Sequence, residues 1–453
     1  MTVAALFLGT VAFAAAVLPI ASRADSPVEP PNSCYSGAYQ LADGGGYIII
    51  SPSDEGALRY RLANGRSGRL YPDDPGHANG RFYGGPGWSS REPRVAAAVF
   101  DACPGKRLEF RLKDGPSGVA QRVALTRTRA KFSSLGNTLY GELISPAKPQ
   151  ALVVLVFGSG NDSAVTWNYV QNLLPMYDIA VFVYDKRGTG QSTGSFTVDF
   201  SALADDAIAA VAEARKLLPN VPVGLMGESQ GGWIAPLAAV RSPVDFVVVS
   251  YGLAISPLEE DREEVLGELR AKHYDESVIA KGRELTSITG RVMLSRFTDG
   301  IDDLRKFKAA HDSEKWLHEV EGDFTGPLLR SQDDQFKELR AALGFDAILD
   351  YDAQAALRRV RTPMLWVVAG KDTEAPPVPT LEFLRKLQKE PTQLDIAVFP
   401  NADHGIIEMA EQGSELVAVG QSPGYFDLLA SWIRTRKLDG KFGAAILQPD
   451  ATR

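Results

Sequence analysis

The sequence predicts an α/β protein: a mostly parallel sheet with helices on both faces, interrupted by a helical insertion and preceded by a small β-rich domain. Three observations lead there. From about residue 129, continuous apolar runs alternate with helical segments, as strands buried on both faces do. Residues 26–125 hold only short strand-like stretches between Gly, Pro, Asn and Asp clusters. Residues 255–350 are helix-rich and break the alternation between two sheet strands.

The chain of 453 residues begins with an uncharged run from Val3 to Ala21, followed by Ser22-Arg23-Ala24. Small residues flank Arg23 at the positions a signal peptidase reads, so residues 1–24 are expected to be a signal peptide, cleaved after Ala24. The alternative is an N-terminal membrane anchor, since the run approaches the ~20 residues needed to span. Export to the periplasm or outside leaves no membrane association after cleavage. Cys34 and Cys103, the chain's two cysteines, would then meet an oxidising compartment where the pair can close. That loop would stabilise by about 4 kcal/mol in the chain-entropy description.

In 26–125, Ala57–Leu62 and Leu108–Leu112 alternate apolar with polar as half-buried strands do, whereas Gly46–Ser51 is continuously apolar. Turns are expected at Asp43-Gly44, Asn64-Gly65, Asn79-Gly80 and Asp114-Gly115. The aromatics Tyr35, Tyr39, Tyr60, Tyr71, Tyr83 and Trp88 read first as core and second as a sugar or lipid site. Next comes a hairpin, Ala130–Ser133 with Thr138–Ile144. The sheet strands follow: Ala151–Phe157, Ile179–Tyr184, Val221–Met226, Phe246–Ser250, Met364–Ala369 and Leu394–Phe399. Helices are expected at Phe200–Leu218, Gln230–Val240 and Thr380–Lys389. In the insertion they are expected at Glu259–Arg270, Glu276–Phe297 and Asp302–Ala310, with Leu285, Ile288 and Val292 as a packing face. The domains read as 26–125, then 126–437 carrying the insertion 255–350, then a tail 438–453.

Gly227-Glu228-Ser229-Gln230-Gly231 follows one strand and opens a helix. This is the Gly-x-Ser-x-Gly elbow in the context it needs: a sharp turn lifts Ser229 above the strand ends, and the helix N-terminus favours developing negative charge. A serine hydroxyl needs a base, usually His oriented by a carboxylate. Of five histidines, His77 lies in the β-rich domain, and His273, His311 and His318 lie in the polar insertion. His404 lies just past the last sheet strand, where the base belongs. Asp372 is the expected acid, in the loop after Met364–Ala369, with Glu374 as its rival; Asp403 is too close in sequence to fold back on the imidazole. The oxyanion hole is expected from the backbone N–H groups of Gln230 and Ser159, the latter in Phe157-Gly158-Ser159-Gly160. The Gly158-x-Gly160-x-x-Ser163 stretch also half-matches a dinucleotide fingerprint, but it lacks the third glycine. Arg187, in the turn after Ile179–Tyr184, is expected to tie loops together. No cofactor is called for, and no metal motif such as Cys-x-x-Cys or His-Glu-x-x-His is present.

Together, Phe157-Gly-Ser-Gly160, Asp185-Lys-Arg-Gly-Thr-Gly190, Gly227-Glu-Ser-Gln-Gly-Gly-Trp233, Gly370-Lys-Asp372 and Asp403-His404-Gly405 resemble the α/β-hydrolase superfamily. The likeness is to bacterial exported serine esterases related to the prolyl-oligopeptidase and dienelactone-hydrolase branches. It covers about residues 129–437, and it departs at Phe157, where such proteins usually carry His. The resemblance implies an α/β-hydrolase fold, acyl transfer to water, and an insertion that caps the site. The expected function is a serine hydrolase cleaving a small carboxylic ester through an acyl-enzyme, with Ser229, His404 and Asp372 as the triad. A thioesterase or peptidase on the same machinery is the alternative, and a catalytically silent binding protein on this fold is the alternative from another class.

The charge pattern bears on partners. With 48 Lys plus Arg against 56 Asp plus Glu, and no clustered basic stretch, nucleic acid is excluded. The insertion 255–350 holds 22 acidic and 14 basic residues, matching the net charge of −8, so its acidity is expected to disfavour strongly anionic substrates.

Overall fold

The computed structural model describes residues 30–450, apart from 43, 75–78, 332–335, 337–347 and 414. The expected signal peptide and His77 lie outside the described residues. No helix among those described is long and apolar enough to cross a membrane.

The first eight strands close into an antiparallel barrel. They are β1 (Gly37–Leu41), β2 (Tyr47–Pro52), β3 (Leu58–Leu62), β4 (Ser67–Pro72), β5 (Arg81–Gly84), β6 (Ala96–Phe100), β7 (Arg107–Leu112) and β8 (Ser117–Arg122). Closure comes from β1 pairing with β8, Tyr39 opposite Arg122 and Leu41 opposite Ala120, which leaves the barrel without a free edge. Strand alternation explains the run in β2. Ile48 and Ile50 point into the barrel core with Tyr39, Tyr60 and Phe110, while Ile49 points out and joins the core of the following sheet. The run is continuous because both of its faces are covered. Tyr35, Tyr39 and Tyr60 are core residues, and Tyr71 is buried. Tyr83 and Trp88 instead lie half-buried under the guanidinium groups of Arg94 and Arg59. Cys34 and Cys103 form a disulfide.

The second sheet has nine strands: β9 (Thr126–Ser134), β10 (Asn137–Ser145), β11 (Ala151–Val156), β12 (Ile179–Tyr184), β13 (Val223–Glu228), β14 (Phe246–Ser250), β15 (Met364–Ala369), β16 (Leu394–Phe399) and β20 (Ile446–Gln448). Their order is β20-β16-β15-β14-β13-β11-β12-β10-β9. The six central strands are parallel; the β9–β10 hairpin and β20 close the edges antiparallel. Burial on both faces explains the continuous apolar runs. In β11, Leu152, Val154 and Val156 enter one core, and Ala151, Val153 and Leu155 enter the other. The helices Phe200–Leu217, Gly231–Arg241 and Pro377–Leu387 cover the first face, and Tyr425–Thr435 covers the second. Asp199 starts the longest of these by accepting from the N–H groups of Ser201 and Ala202.

Two features differ from expectation. Within the expected tail 438–453, Ile446–Gln448 adds an edge strand, and the Asp450 N–H donates to Asp395 Oδ1 at 2.7 Å. A three-residue strand after Gly440 and Gly443 carries too little periodicity to read. On either side of His404 the chain also forms a small antiparallel sheet of β17 (Ala402–Asp403), β18 (Ile407–Gln412) and β19 (Glu415–Gln421). β19 lies against the barrel, the Gln421 N–H donating to the Gly65 carbonyl at 2.9 Å.

Between β14 and β15, the helices Pro257–Ala271, Glu276–Leu294 and Ile301–His311 pack around a core of their own, with Leu285, Ile288 and Val292 facing inward. Ser256 and Glu259 form a reciprocal capping box at the entry. His311 is half-buried against Phe307, with Nδ1 2.6 Å from Glu314 Oε1.

Candidate active site

Ser229 sits at φ +52°, directly after β13. A non-glycine residue in the left-handed region is strained, and the surrounding close packing holds it there. A Cβ on Gly227 would lie 2.1 Å from the Gly231 carbonyl oxygen, and one on Gly231 would lie 2.3 Å from the Val156 oxygen. The strand and helix can approach this closely only because both positions are glycine. Gln230 precedes the first turn of the helix Gly231–Arg241. Gly158 lies against the serine: its hypothetical Cβ would be 3.3 Å from Ser229 Cβ. The structure therefore brings the Phe157–Gly160 loop beside Ser229.

His404 is half-buried on the loop after β16. Its Nδ1 lies 3.0 Å from Asp372 Oδ1 and 3.1 Å from Oδ2. Asp372 is buried, and Oδ1 also accepts from the N–H groups of Ala375 and Glu374 at 2.7 and 3.1 Å. These bonds fix the carboxylate in place before it meets the imidazole. Asp403 does not bond the imidazole. Its Oδ1 accepts from the backbone N–H groups of His404 and Thr373, tying the histidine loop to the Asp372 loop. The Tyr251 ring packs edge-on against His404, centroids 5.0 Å apart.

Glu374 approaches the other side of the ring, with Oε2 3.7 Å from His404 Nε2. Two carboxylates thus flank one imidazole. Burial alone would lower the His404 pKa. The Asp372 charge and hydrogen bond, followed by Glu374 and Asp403, outweigh burial and raise it to about 9. No hydrogen bond joins Ser229 Oγ to His404 among the described residues; such contacts commonly tighten only once substrate is bound.

Sequence reasoning missed several nearby groups. Glu228 is buried beside Ser229, and its Oε2 accepts from Asn168 Nδ2 at 2.8 Å. Burial raises its pKa, and the Asn168 bond opposes the rise. The barrel residue Arg61, also buried, lies over the Tyr169 ring at 3.9 Å, next to Asn168. The barrel therefore reaches the shell behind the elbow. From the insertion, Glu260, Glu264 and Asp323 place carboxylate oxygens within 4.8 Å of one another, close enough to share a cation. Burial, then neighbouring carboxylates, raises all three pKa values; Glu374 and His404 are among the groups acting on Asp323. Arg187, expected to tie loops together, instead ties its turn to the helix Phe200–Leu217 through two hydrogen bonds to Asp206 at 2.7 and 2.8 Å.

A family model described as serine aminopeptidase, S33 matches residues 147–274, and one described as prolyl oligopeptidase family matches residues 308–419. The monoglyceride lipase of Rattus norvegicus is 37% identical over 112 residues, 24% of this chain and 36% of its own length. The monoglyceride lipase homolog of Monkeypox virus is 33% identical over 134 residues, 29% of this chain and 47% of its own. The chain thus spans less than half the length of these curated relatives. Among solved structures, a Pyrococcus furiosus esterase aligns with TM-score 0.39 and 14% identity, covering 62% of this chain and 85% of the esterase. A Pyrococcus horikoshii acylaminoacyl peptidase aligns with TM-score 0.42 and 15% identity, covering 89% and 57%. The strand order around the Ser229 elbow, together with family matches over residues 147–274 and 308–419, supports an α/β-hydrolase fold with prolyl-oligopeptidase-like features.

Proposed function

We propose that this serine hydrolase cleaves a neutral carboxylic ester through an acyl-enzyme, with Ser229 as nucleophile, His404 as general base and then acid, and Asp372 as its orienting carboxylate. The observation that carries this is the strained Ser229 elbow, built at the same sheet end as the His404–Asp372 pair. Ser229 Oγ attacks the ester carbonyl carbon and its proton passes to His404 Nε2. The N–H groups of Ser159 and Gln230 hold the oxyanion. The imidazolium, stabilised by Asp372, then protonates the departing alcohol. Water repeats the sequence and frees the acid. Because Nε2 must take a proton, Glu374 has to yield that nitrogen when substrate arrives. With His404 raised to about 9, the base form grows as pH rises, and kcat/KM for a neutral ester should climb through that region.

In this reading the helical insertion is a cap over the site. The electrostatic reach of Glu260 and Asp323 to Glu374 supports it. Export through the apolar leader is part of the same proposal, supported by the Cys34–Cys103 disulfide, which belongs to oxidising compartments. Peptide hydrolysis on the same residues is the second reading, favoured by the two family descriptions. A panel of matched esters, thioesters and peptide amides, with a fluorophosphonate probe, tests both. Expected are a Ser229 adduct and fastest turnover of neutral esters. Fast peptide turnover with inert esters would favour the second reading, and no adduct on folded protein would defeat both.

A further inference from the structure

The turn after β12 grips the loop expected to supply half of the oxyanion hole, at two points. At the far end, Asp185 Oδ1 accepts from Ser163 Oγ at 2.7 Å and from the Val165 N–H at 3.2 Å. At the near end, Lys186 Nζ donates to the Gly158 carbonyl oxygen at 2.6 Å. Lys186 is 4% exposed and Asp185 is 1% exposed. A buried lysine is costly unless its ammonium meets a strong partner. Burial indeed pushes Lys186 down to about 7, with Asp162 opposing. A solvated turn would need no such side chain, so a backbone carbonyl as its partner calls for an explanation.

The peptide geometry supplies one. The Gly158 carbonyl and the Ser159 N–H belong to the same peptide unit. In a planar trans peptide these two groups point in opposite directions. A bond that fixes the carbonyl therefore also fixes the N–H, on the face away from Lys186. Gly158 itself lies against Ser229. We infer that Lys186 is a positioning residue of the oxyanion hole, holding the Gly158–Ser159 peptide so that the Ser159 N–H stays aimed at the reacting oxygen. It touches no reacting atom, and its effect passes entirely through that peptide. The inference rests on the proposed acyl-transfer mechanism.

Lys186→Met tests it. Met fills much of the same volume and tolerates burial, so the variant should melt no lower than wild type. It should nonetheless lose about 10- to 100-fold in kcat, part of the cost of a lost oxyanion donor, with KM within about twofold. Affinity for a trifluoromethyl ketone, whose hemiketal oxygen occupies the hole, should fall in parallel with kcat. Lys186→Gln is too short to reach the carbonyl and carries the same expectation if the Met variant does not fold. Wild-type kcat and ketone affinity in either folded variant would overturn the inference. So would a failure of both variants to fold, since Lys186 is then structural. Fluorophosphonate labelling of the wild type separates the levels. No label on Ser229 removes the underlying mechanism and this inference with it, whereas a labelled Ser229 with an unaffected Lys186→Met removes the inference alone.

Discussion

Two regions, the sheet end around Ser229 and the helical insertion, differ in kind. In the proposed mechanism the sheet-end region presents backbone N–H groups, on a loop bonded to the buried Lys186 and Asp185 and beside glycines that allow close approach. The insertion presents carboxylates: Glu260, Glu264 and Asp323, near Glu374. In the proposed mechanism the first suits the oxyanion formed from the reacting carbonyl, and the second discourages an anion carried elsewhere on the substrate. The difference also corrects a simple charge count. Burial and mutual repulsion raise the pKa values of all three, so each resists ionisation more than a solvated carboxylate does. The repulsive field at the site is therefore weaker than the insertion's excess of acidic residues implies.

The sheet-end region is broken most completely by Ser229→Ala, which should lower kcat on the order of 10⁶-fold, by analogy with other serine triads; a steady-state assay within tenfold of wild type would remove Ser229 as nucleophile. Asp372→Asn should lower kcat on the order of 10⁴-fold, because the amide favours the wrong imidazole tautomer. If Glu374→Asn costs as much, the orienting carboxylate has been misassigned. Glu374→Gln sharpens the contrast at the boundary of the two regions. Its carboxylate favours the imidazolium, so removing it should lower the pKa on the kcat/KM profile and raise activity at pH 7 by roughly 2- to 5-fold. An unmoved profile would mean Glu374 does not act on His404. An effect no larger than that of Glu374→Gln belongs to the insertion. In the Glu260→Gln, Asp323→Asn double variant, the preference for neutral over anionic esters of one acyl chain should narrow by about 2- to 5-fold. Equal preference in the wild type would count against a cap that acts by charge.

Much of the sheet and the candidate site could be read from the sequence. β11 through β16 are apolar on both faces, a pattern set by local composition, and the Ser229 elbow depends on glycines only four residues apart. His404 stood out by its place after the last strand of the alternation. What could not be read depended on distance rather than pattern. Closure of the barrel requires β1 and β8 to meet in register, which no single strand encodes. The β17–β19 sheet is not legible in the sequence because its middle strand is half-buried apart from the exposed Glu411, without clean alternation. Glu374 competed with Asp372 for one role, whereas the fold gives each a different nitrogen of the same ring. No sequence pattern marks Lys186 and Arg61 as buried; packing against the neighbouring loop and the neighbouring domain buries them.

The central claim is that Ser229 carries the acyl group. Rapid mixing with a chromogenic ester, acid quenching and peptide mapping by mass spectrometry test it directly. The expected result is a burst of alcohol matched by an acyl increment on the peptide containing Ser229, and no increment in Ser229→Ala. Continued turnover with the acyl group on another residue, or with no covalent intermediate under conditions that accumulate one, would contradict it.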